Sequence, residues 1–228
     1  MTMTDNAASR RVYLGFDRSD CPGAPALQSM KAAGFDWCCH YLEGAPSRPR
    51  YAPGSPLSWE GKLPLIRAAG LGTAVVYLGQ QTTGPGSHIV TPEQGAIDGE
   101  QTVSFMQREG YPPGWKVWQD QEQGPPMPRE MIAYMEAWAA EVRALGYVPG
   151  EYTSFLEAAT AVAYEPAGPL WIYRVPTVAQ HRVPGKIVAP DLAKSGYPAA
   201  KIWQFGDECI VDCAAAPGGI LLDRKSVV

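Results

Sequence analysis

Residues 115–153, which read WKVWQDQEQGPPMPREMIAYMEAWAAEVRALGYVPGEYT, contain the pattern that decides the fold. Residues 115–122 open with an apolar run and predict a strand. Residues 128–145 predict a helix, because their apolar side chains recur at helical spacing on one stripe: Met131, Met135, Trp138, Ala139, Val142 and Leu145. Gly146 ends this helix, and residues 148–153 predict the next strand. The stretch is therefore a strand–helix–strand unit.

The same unit recurs along the chain, with a glycine between each helix and the strand that follows it. These glycines are Gly34, Gly70, Gly110 and Gly146, at spacings of 36, 40 and 36 residues. Further strands are predicted at residues 11–17, 35–42, 72–79, 170–175, 200–206 and 209–213, the last two being the final strands. Alternating strands and helices favour parallel strands with crossover helices. The predicted fold is α/β, a (β/α)8 TIM-like barrel with short or missing last helices.

An open, doubly wound sheet is the competing fold. It favours a phosphate-binding glycine loop directly after its first strand. Residues 15–20 read GFDRSD at that place and contain no G-x-G-x-x-G motif. The closed barrel is therefore the preferred interpretation.

Length and composition set the domain organisation and exclude some classes of partner. The 228 residues predict a flexible N-terminal tail, residues 1–10, and one barrel domain, residues 11–228. A net charge of −4 without a basic run argues against nucleic acid. The sequence contains no run of about 18 apolar residues, so no membrane span is predicted. The polar N-terminus lacks a secretory signal, so we expect cytoplasmic synthesis, with non-classical or phage-type export for any action outside the cell.

Cysteine and histidine patterns predict no resident metal or cofactor. The five cysteines are odd in number and lack zinc-binding spacing, so reduced and mostly buried thiols are expected. A Ser/His/Asp triad would need a G-x-S-x-G elbow, which the sequence does not contain. His40 is interpreted as a core residue; its pairing with Cys38 or Cys39 stays an open alternative, although neighbouring strand residues point apart.

Asp120 and Glu122 form the strongest candidate site. Side chains two residues apart in a strand point to the same face, about 6.5 Å apart at the backbone. Two carboxyl groups this close do not ionise independently, and one acid with one base or nucleophile is what glycoside hydrolysis requires. The alternative is a pair of solvated acids at a strand end.

Further candidates lie at or near predicted strand ends, where barrel enzymes gather their catalytic groups. Asp17 ends the first predicted strand and Asp212 ends the last. Aromatic and amide side chains in similar positions are Tyr41, Tyr77, Tyr152, Trp171, Trp203 and Gln204. A helix cap is the alternative for Asp17, a surface acid for Asp212, and a core role for Trp203. A hard cation held by Asp17, Asp120, Glu122 and Asp212 is a further alternative.

Several segments together resemble a known family. They are Gly15-Phe16-Asp17, residues 31–42 (KAAGFDWCCHYL), Ala69-Gly70-Leu71, Asp120-x-Glu122, residues 146–152 (GYVPGEY), Ile202-Trp203-Gln204 and Val211-Asp212. Their order resembles the glycoside hydrolase-like TIM-barrel domains of uncharacterised function, the domain-of-unknown-function 1906 family. That family is similar to family-25 glycoside hydrolases, the Chalaropsis-type lysozymes.

The resemblance implies roles for individual residues. Glu122 would be the general acid, and Asp120 would stabilise the positive charge on the sugar or position its N-acetyl group. Asp17 and Asp212 would orient the sugar or tune Glu122. Tyr41, Tyr77, Tyr152 and Trp203 would be stacking platforms. The implied substrate is the β-1,4 bond after N-acetylmuramic acid in peptidoglycan.

Two functions follow as hypotheses. The first is a glycoside hydrolase-like protein that cleaves or recognises peptidoglycan glycan strands, with Glu122 as general acid. The second is a non-catalytic carbohydrate- or peptidoglycan-binding barrel that retains the acidic cleft. An interaction scaffold is a weaker third reading, because a scaffold does not need acids at its strand ends. Oligomeric state does not follow from the sequence.

Overall fold

A computed structural model describes residues 12–42, 55–83, 87–164, 168–175, 181–183, 189–213 and 216–228. The expected tail, residues 1–10, lies outside the described residues. Strands are β1 Leu14–Asp17, β2 Trp37–Leu42, β3 Gly72–Tyr77, β4 Lys116–Asp120, β5 Val148–Ser154, β6 Leu170–Tyr173, β7 His181–Val183, β8 Ile202–Cys213 and β9 Ala216–Val227. Helices are α1 Ala24–Ala32, α2 Leu63–Ala68, α3 Pro92–Glu109, α4 Arg129–Ala144 and α5 Ala158–Tyr164, with a short 3₁₀ turn at Leu192–Lys194.

The strands curl into a closed ring. Their order is β1-β2-β3-β4-β5-β6-β8-β9, and β9 pairs back onto β1. In the part of the chain that the structure describes, seven ring strands run parallel and β9 runs antiparallel to both neighbours. The short β7 adds to the outer part of β8. The predicted α/β TIM-like barrel is therefore confirmed, with no α-helix among the described residues after α5.

The last part of the barrel differs from the sequence prediction. Residues 200–206 and 209–213 were expected as two final strands, but residues 202–213 form one strand, which continues through a hairpin into β9. The β9 sequence contains Gly218-Gly219 and the charged run Asp223-Arg224-Lys225, which carry little intrinsic strand preference. Its pairing with β8 and β1, rather than its own composition, makes it a strand.

Alternation along the strands separates an inner from an outer apolar core. Side chains pointing into the ring form a cluster drawn from the strands alone: Trp37, Cys39, Ala74, Val76, Trp118, Tyr152, Trp171 and Ile202. The alternate side chains pack against the helices. Gly15 faces the ring interior, where a Cβ would lie 2.0 Å from the Trp37 ring. The interior of the barrel is therefore filled with aromatic rings and is not a channel.

The cysteines that the structure describes lie in the core. Cys21, Cys38, Cys39 and Cys209 are buried and form no disulfide with one another, as predicted for reduced thiols. The side chain of Cys213 lies outside the described residues. Among the helices that the structure describes, none combines the length and apolarity needed to cross a membrane.

Helices α3 and α4 approach each other through two glycines. A Cβ on Gly95 would lie 2.3 Å from the main-chain oxygen of Tyr134. A Cβ on Gly99, one turn later, would lie 2.9 Å from the main-chain oxygen of Trp138. Since a main-chain oxygen in a packed helix cannot move aside alone, only glycine permits this helix spacing.

Substitution Gly95→Ala is therefore expected to destabilise the fold. Alanine favours a helix by about 1 kcal/mol over glycine, but the close contact should outweigh this gain and leave a net loss of about 2 kcal/mol. Chemical denaturation measures the change. Gly124→Ala is the control, because no atom lies within 4 Å of a Cβ there. A Gly95→Ala protein at least as stable as the wild type would contradict the proposed helix contact.

Candidate active site at the mouth of the barrel

Two of the predicted acids face the ring interior at the ends of their strands. Asp17 is the last residue of β1 and 2% exposed, and its Oδ1 accepts a hydrogen bond from the Tyr41 hydroxyl at 2.8 Å. Asp120 is the last residue of β4 and 5% exposed. It lies on the same strand face as Trp118, which belongs to the interior cluster. The carboxyl ends of the parallel strands therefore form a mouth that carries buried acids.

Polar and aromatic groups from three other strands complete this mouth. The Tyr152 hydroxyl donates to Gln204 Oε1 at 2.7 Å. The Tyr173 ring, half-buried at the end of β6, lies 5.3 Å from the Tyr152 ring. Sequence reasoning did not select Tyr173; its position two residues after Trp171, on the same strand face, is the signal that identifies it. Hydroxyl, amide and carboxylate groups beside aromatic rings suit carbohydrate recognition.

Glu122 lies in a different environment from Asp120. Strand β4 ends at Asp120, and Glu122 is exposed to solvent. Beyond the strand, the Gln121 side chain oxygen accepts a hydrogen bond from the main-chain N–H of Gln123 at 2.6 Å. The predicted strand through Glu122 is therefore shortened, since β4 ends at Asp120, and the two acids differ in burial: Asp120 is buried and Glu122 is exposed. That their carboxyl groups lie on one face stays a prediction. The Glu122 carbonyl accepts from the Tyr173 hydroxyl at 3.3 Å, which holds this residue at the rim of the mouth.

Two aromatic candidates lie on the outer side of the barrel. Tyr77 is fully buried against the helices, and its hydroxyl donates to Gln101 Oε1 at 2.8 Å. Trp203 packs in the outer core and donates to the Arg174 carbonyl at 2.9 Å. The expectation that these rings reach the mouth is corrected, because each faces away from it. Trp203 directly precedes the inward Gln204, and neighbouring strand residues point to opposite faces.

Two other candidates do not lie at the open part of the mouth. Trp171 faces inward but is 1% exposed, at the centre of the aromatic interior. Asp212 lies on β8 close to its hairpin with β9, eight residues beyond Gln204, which is roughly 26 Å along an extended strand. The expectation that Asp212 ends the last strand is wrong, because β9 follows β8. The Asp212 side chain is outside the described residues.

Side chains that follow β3 join the rim beside Asp120. Gln81 Nε2 donates to the Asp120 carbonyl at 2.6 Å, and the Gln81 carbonyl is bonded to His88 Nδ1 at 2.6 Å. The side chains of Thr82 and Gln123 are hydrogen-bonded to each other. Next to this rim lies a surface groove of about 280 Å³, lined by Thr82, His88, Ile89, Val90, Thr91 and Glu130. The polar, glycine-rich sequence of residues 80–91 indicates a loop but does not reveal that this loop lies beside the mouth.

A metal centre does not emerge from the described residues. No group of three or more His, Cys, Asp or Glu side chains with the geometry to hold an ion occurs among them. The hard-cation alternative for the four acids therefore gains no support from the placement of Asp17, Asp120 and Glu122.

The sequence matches a family model described as Rv2525c-like, glycoside hydrolase-like domain, over residues 28–203. A search of curated proteins found no match. The solved structures that are similar in fold include the following three. An uncharacterised protein of B. stearothermophilus has 16% identity, a TM-score of 0.63 and 94% coverage of both chains. The Clostridium perfringens spore cortex lytic enzyme SleM has 13% identity, a TM-score of 0.62, and coverage of 95% of this chain and 67% of its own.

The third structure is the modular autolysin LytC from Streptococcus pneumoniae in complex with a synthetic peptidoglycan ligand. It has 10% identity and a TM-score of 0.55, with coverage of 95% of this chain and 46% of LytC. At these identities the three structures show a common barrel fold.

Proposed function

Because the chain belongs to the Rv2525c-like glycoside hydrolase-like domain family, we propose that it binds glycan strands of bacterial peptidoglycan at the mouth of the barrel and cleaves a glycosidic bond there. The observation that carries this proposal is the convergence of inward polar groups from six strands on that mouth: Asp17, Tyr41, Asp120, Tyr152, Tyr173 and Gln204. LytC, of similar fold, was solved with a synthetic peptidoglycan ligand, which supports the choice of substrate class.

The two acids have separate roles in this proposal. Asp120, buried at the end of β4, stabilises the positive charge that develops on the sugar ring. Glu122, at the rim, donates a proton to the departing glycosidic oxygen, and its carboxylate then takes a proton from the water that bonds to the anomeric carbon. The rim position places Glu122 against solvent in the free protein, so a glycan strand lying across the mouth would itself exclude water from this carboxyl group.

Asp17 and Tyr41 form a rigid pair on the other side of the mouth. Their 2.8 Å hydrogen bond fixes the position of the Asp17 carboxylate, a group that binds sugar hydroxyls as an acceptor. Tyr152 and Tyr173 present neighbouring rings, which favours stacking against the apolar face of a sugar. The mouth can therefore orient a bound sugar as well as stabilise the charge that develops on it.

Binding without cleavage is the second candidate function. The exposed position of Glu122, beyond the end of β4, favours it, because a general acid must lie within hydrogen-bond reach of the oxygen that it protonates. In this alternative the mouth recognises the glycan and Glu122 has no chemical role.

Release of soluble muropeptides from purified cell walls tests the proposal. Glu122→Gln should lower the release rate about 100-fold, the contribution typical of a general acid, while co-sedimentation with the walls persists. Glu136→Gln, on the exposed surface of α4, is the matched control and should behave as wild type.

The other outcomes are equally decisive. Equal release by wild type and Glu122→Gln removes Glu122 from the acid role. Wall binding without release, lost in Asp120→Asn, establishes the binding alternative. Neither binding nor release by the wild type overturns the proposed function.

A further inference from the structure

We infer that Asp98 and Tyr134, which lie in the helical layer behind the sheet, are positioning residues that set the place of Asp120 at the mouth. Asp98 belongs to α3 and Tyr134 to α4. The inference rests on the proposed function in one respect, since it assigns these residues to the site around Asp120. Its structural part is independent of any activity.

The Tyr134 hydroxyl is the centre of a buried hydrogen-bond network. It donates to Asp98 Oδ2 at 2.6 Å, and it accepts from the main-chain N–H of Gln80 at 3.0 Å and from Gln119 Nε2 at 2.9 Å. A phenol has one hydrogen to donate and two lone pairs to accept with, so this hydroxyl is fully used. Tyr134, Gln80 and Gln119 are each at most 1% exposed. The network therefore joins two helices to the ends of two strands.

Asp98 holds the other end of the network. This carboxylate is 1% exposed and accepts from Gln80 Nε2 at 3.1 Å and from Gln94 Nε2 at 2.8 Å, besides the Tyr134 hydroxyl. Burial, together with the charge of Asp98, raises the pKa of Tyr134 well above its ordinary value, so the phenol stays a donor. Gln80 is thereby held through both its main chain and its side chain.

The strand ends pack directly onto this network. A Cβ on Gly79 would lie 1.9 Å from Gln119 Nε2 and 2.6 Å from the Tyr134 hydroxyl oxygen. The residue must therefore lack a side chain for the backbone after β3 to reach the network. This close approach leaves little room for the end of β3 or of β4 to shift.

Two residues, Gln119 in this network and Gln81 beside it, contact the main chain of Asp120 directly. Gln119 directly precedes Asp120 in β4, and it points outward while Asp120 points inward. Gln81, which directly follows Gln80, donates to the Asp120 carbonyl at 2.6 Å. The main chain of Asp120 is thus fixed from two sides: by Gln119, which Tyr134 binds directly, and by Gln81, whose neighbour Gln80 is bound by Asp98 and Tyr134.

Stability alone does not account for a carboxylate at this place. Removing a charge from water is costly, and well-packed apolar residues often replace buried ionic groups without loss of stability. Asp98 could be apolar if the helices needed only to pack. A catalytic group, in contrast, loses up to about 100-fold in rate when it is displaced by roughly 1 Å. Positioning of Asp120 is therefore the role that the network fits.

The kinetic test compares Tyr134→Phe with Tyr147→Phe. Tyr147 is the matched control: it is 2% exposed, and its hydroxyl donates one buried hydrogen bond, to the Tyr111 carbonyl at 2.8 Å, at the opposite end of the strands. Tyr134→Phe should lower kcat for muropeptide release about tenfold with KM changed less than about twofold. Tyr147→Phe should leave both constants near wild type. Equal losses of kcat in the two variants would overturn the inference.

Amide hydrogen exchange tests the structural part without any substrate. The N–H of Gln121 bonds to the Tyr152 carbonyl at 2.9 Å at the mouth, and the N–H of Val148 bonds to the Trp115 carbonyl at 2.9 Å at the other end of the same strand pair. In Tyr134→Phe, exchange at Gln121 should accelerate about tenfold relative to Val148. In Tyr147→Phe it should not. An unchanged ratio in Tyr134→Phe contradicts the inference, even if the wild type proves inactive on cell walls.

Asp98→Asn gives a second route if Tyr134→Phe does not fold. The substitution keeps the shape of the side chain and removes the charge from the hydrogen bonds to Tyr134, Gln80 and Gln94. The same acceleration of exchange at Gln121 relative to Val148 is expected. If exchange at Gln121 keeps its wild-type ratio in this variant, Asp98 positions nothing at the mouth.

Discussion

Replacement of Trp171 by alanine is expected to lower the free energy of unfolding by about 4 kcal/mol, the middle of the range for a buried tryptophan. The Trp171 ring is 1% exposed and meets three other rings of the interior edge-on. The centroid distances are 5.6 Å to Trp37, 6.1 Å to Trp118 and 5.5 Å to Tyr152. These rings come from β2, β4 and β5, so removal of Trp171 leaves a cavity that no single strand can fill by moving inward.

Guanidinium denaturation measures this loss, with two comparison variants. Trp171→Phe should cost less than about 1.5 kcal/mol, because most of the aromatic contact is kept and the buried indole N–H, which finds no hydrogen-bond partner among the described residues, is removed. Trp115→Ala is the control for loss of a tryptophan, since that ring is 38% exposed. A Trp171→Ala protein no less stable than Trp115→Ala would show that the aromatic interior is not what stabilises the barrel.

The fold was largely predictable because its repeat is visible in residue types. Gly110 and Gly146 end their helices with positive φ, at 84° and 88°. Because this conformation favours glycine, a glycine recurs at the end of each helix of the repeat. Strand β9 was not predictable, because its two partners stabilise a segment with weak strand preference of its own. Local signals therefore reveal the repeated units, and long-range pairing completes the ring.

The sequence did not reveal which strand residues point into the barrel and which point outward, and this limited the prediction of the site. Asp17 and Asp120 were selected as strand-end acids, and both are buried at the mouth. Tyr77 and Trp203 were selected by the same rule and face outward. Strands of a barrel are apolar on both faces, so no hydrophobic alternation reveals which residue points inward. A single-residue change in register exchanges the two faces.

The network behind the mouth could not be found by a search for strand-end residues. Tyr134 and Asp98 are 36 positions apart in sequence, and each sits within a helix whose apolar stripe suggests ordinary packing. One signal was available: Asp98 is an acidic residue on the buried side of a helix, where a charge requires hydrogen-bond partners. A polar residue that interrupts the apolar stripe of a helix can therefore indicate a buried network as clearly as a strand-end acid indicates a site.

Acidification from pH 6.5 to pH 4 is expected to remove about 3 kcal/mol of stability through His40 alone. His40 is fully buried, and burial lowers the pKa of its ring from 6.5 to about 4, although its bond to the Trp59 carbonyl acts in the opposite direction. The unfolded chain therefore binds a proton on this ring below pH 6.5, and the folded chain does so only near pH 4. The loss begins below pH 6.5 and is complete below pH 4.

The hydrogen bonds of His40 explain why the neutral ring is retained. Nε2 lies 2.9 Å from the Trp59 carbonyl, which can only accept, so Nε2 carries the hydrogen. Nδ1 then accepts from the Tyr111 hydroxyl at 2.7 Å. Glu109 lies 3.7 Å from Nε2, and burial raises the pKa of its carboxyl group. Protonation of Glu109 in the folded state stabilises the fold as pH falls, so it partly offsets the effect of His40.

A comparison of two histidine variants separates His40 from the other titrating groups. The free energy of unfolding is measured between pH 7 and pH 4 for the wild type, His40→Gln and His88→Gln. His40→Gln removes the titrating ring, so its curve should be flatter than that of the wild type by about 3 kcal/mol over this interval. His88→Gln, at an exposed histidine, is the control for the replacement of a histidine by glutamine as such. Parallel curves for the wild type and His40→Gln would mean that His40 does not resist protonation in the fold, and an NMR titration of its ring would then place its pKa near 6.5 instead of 4.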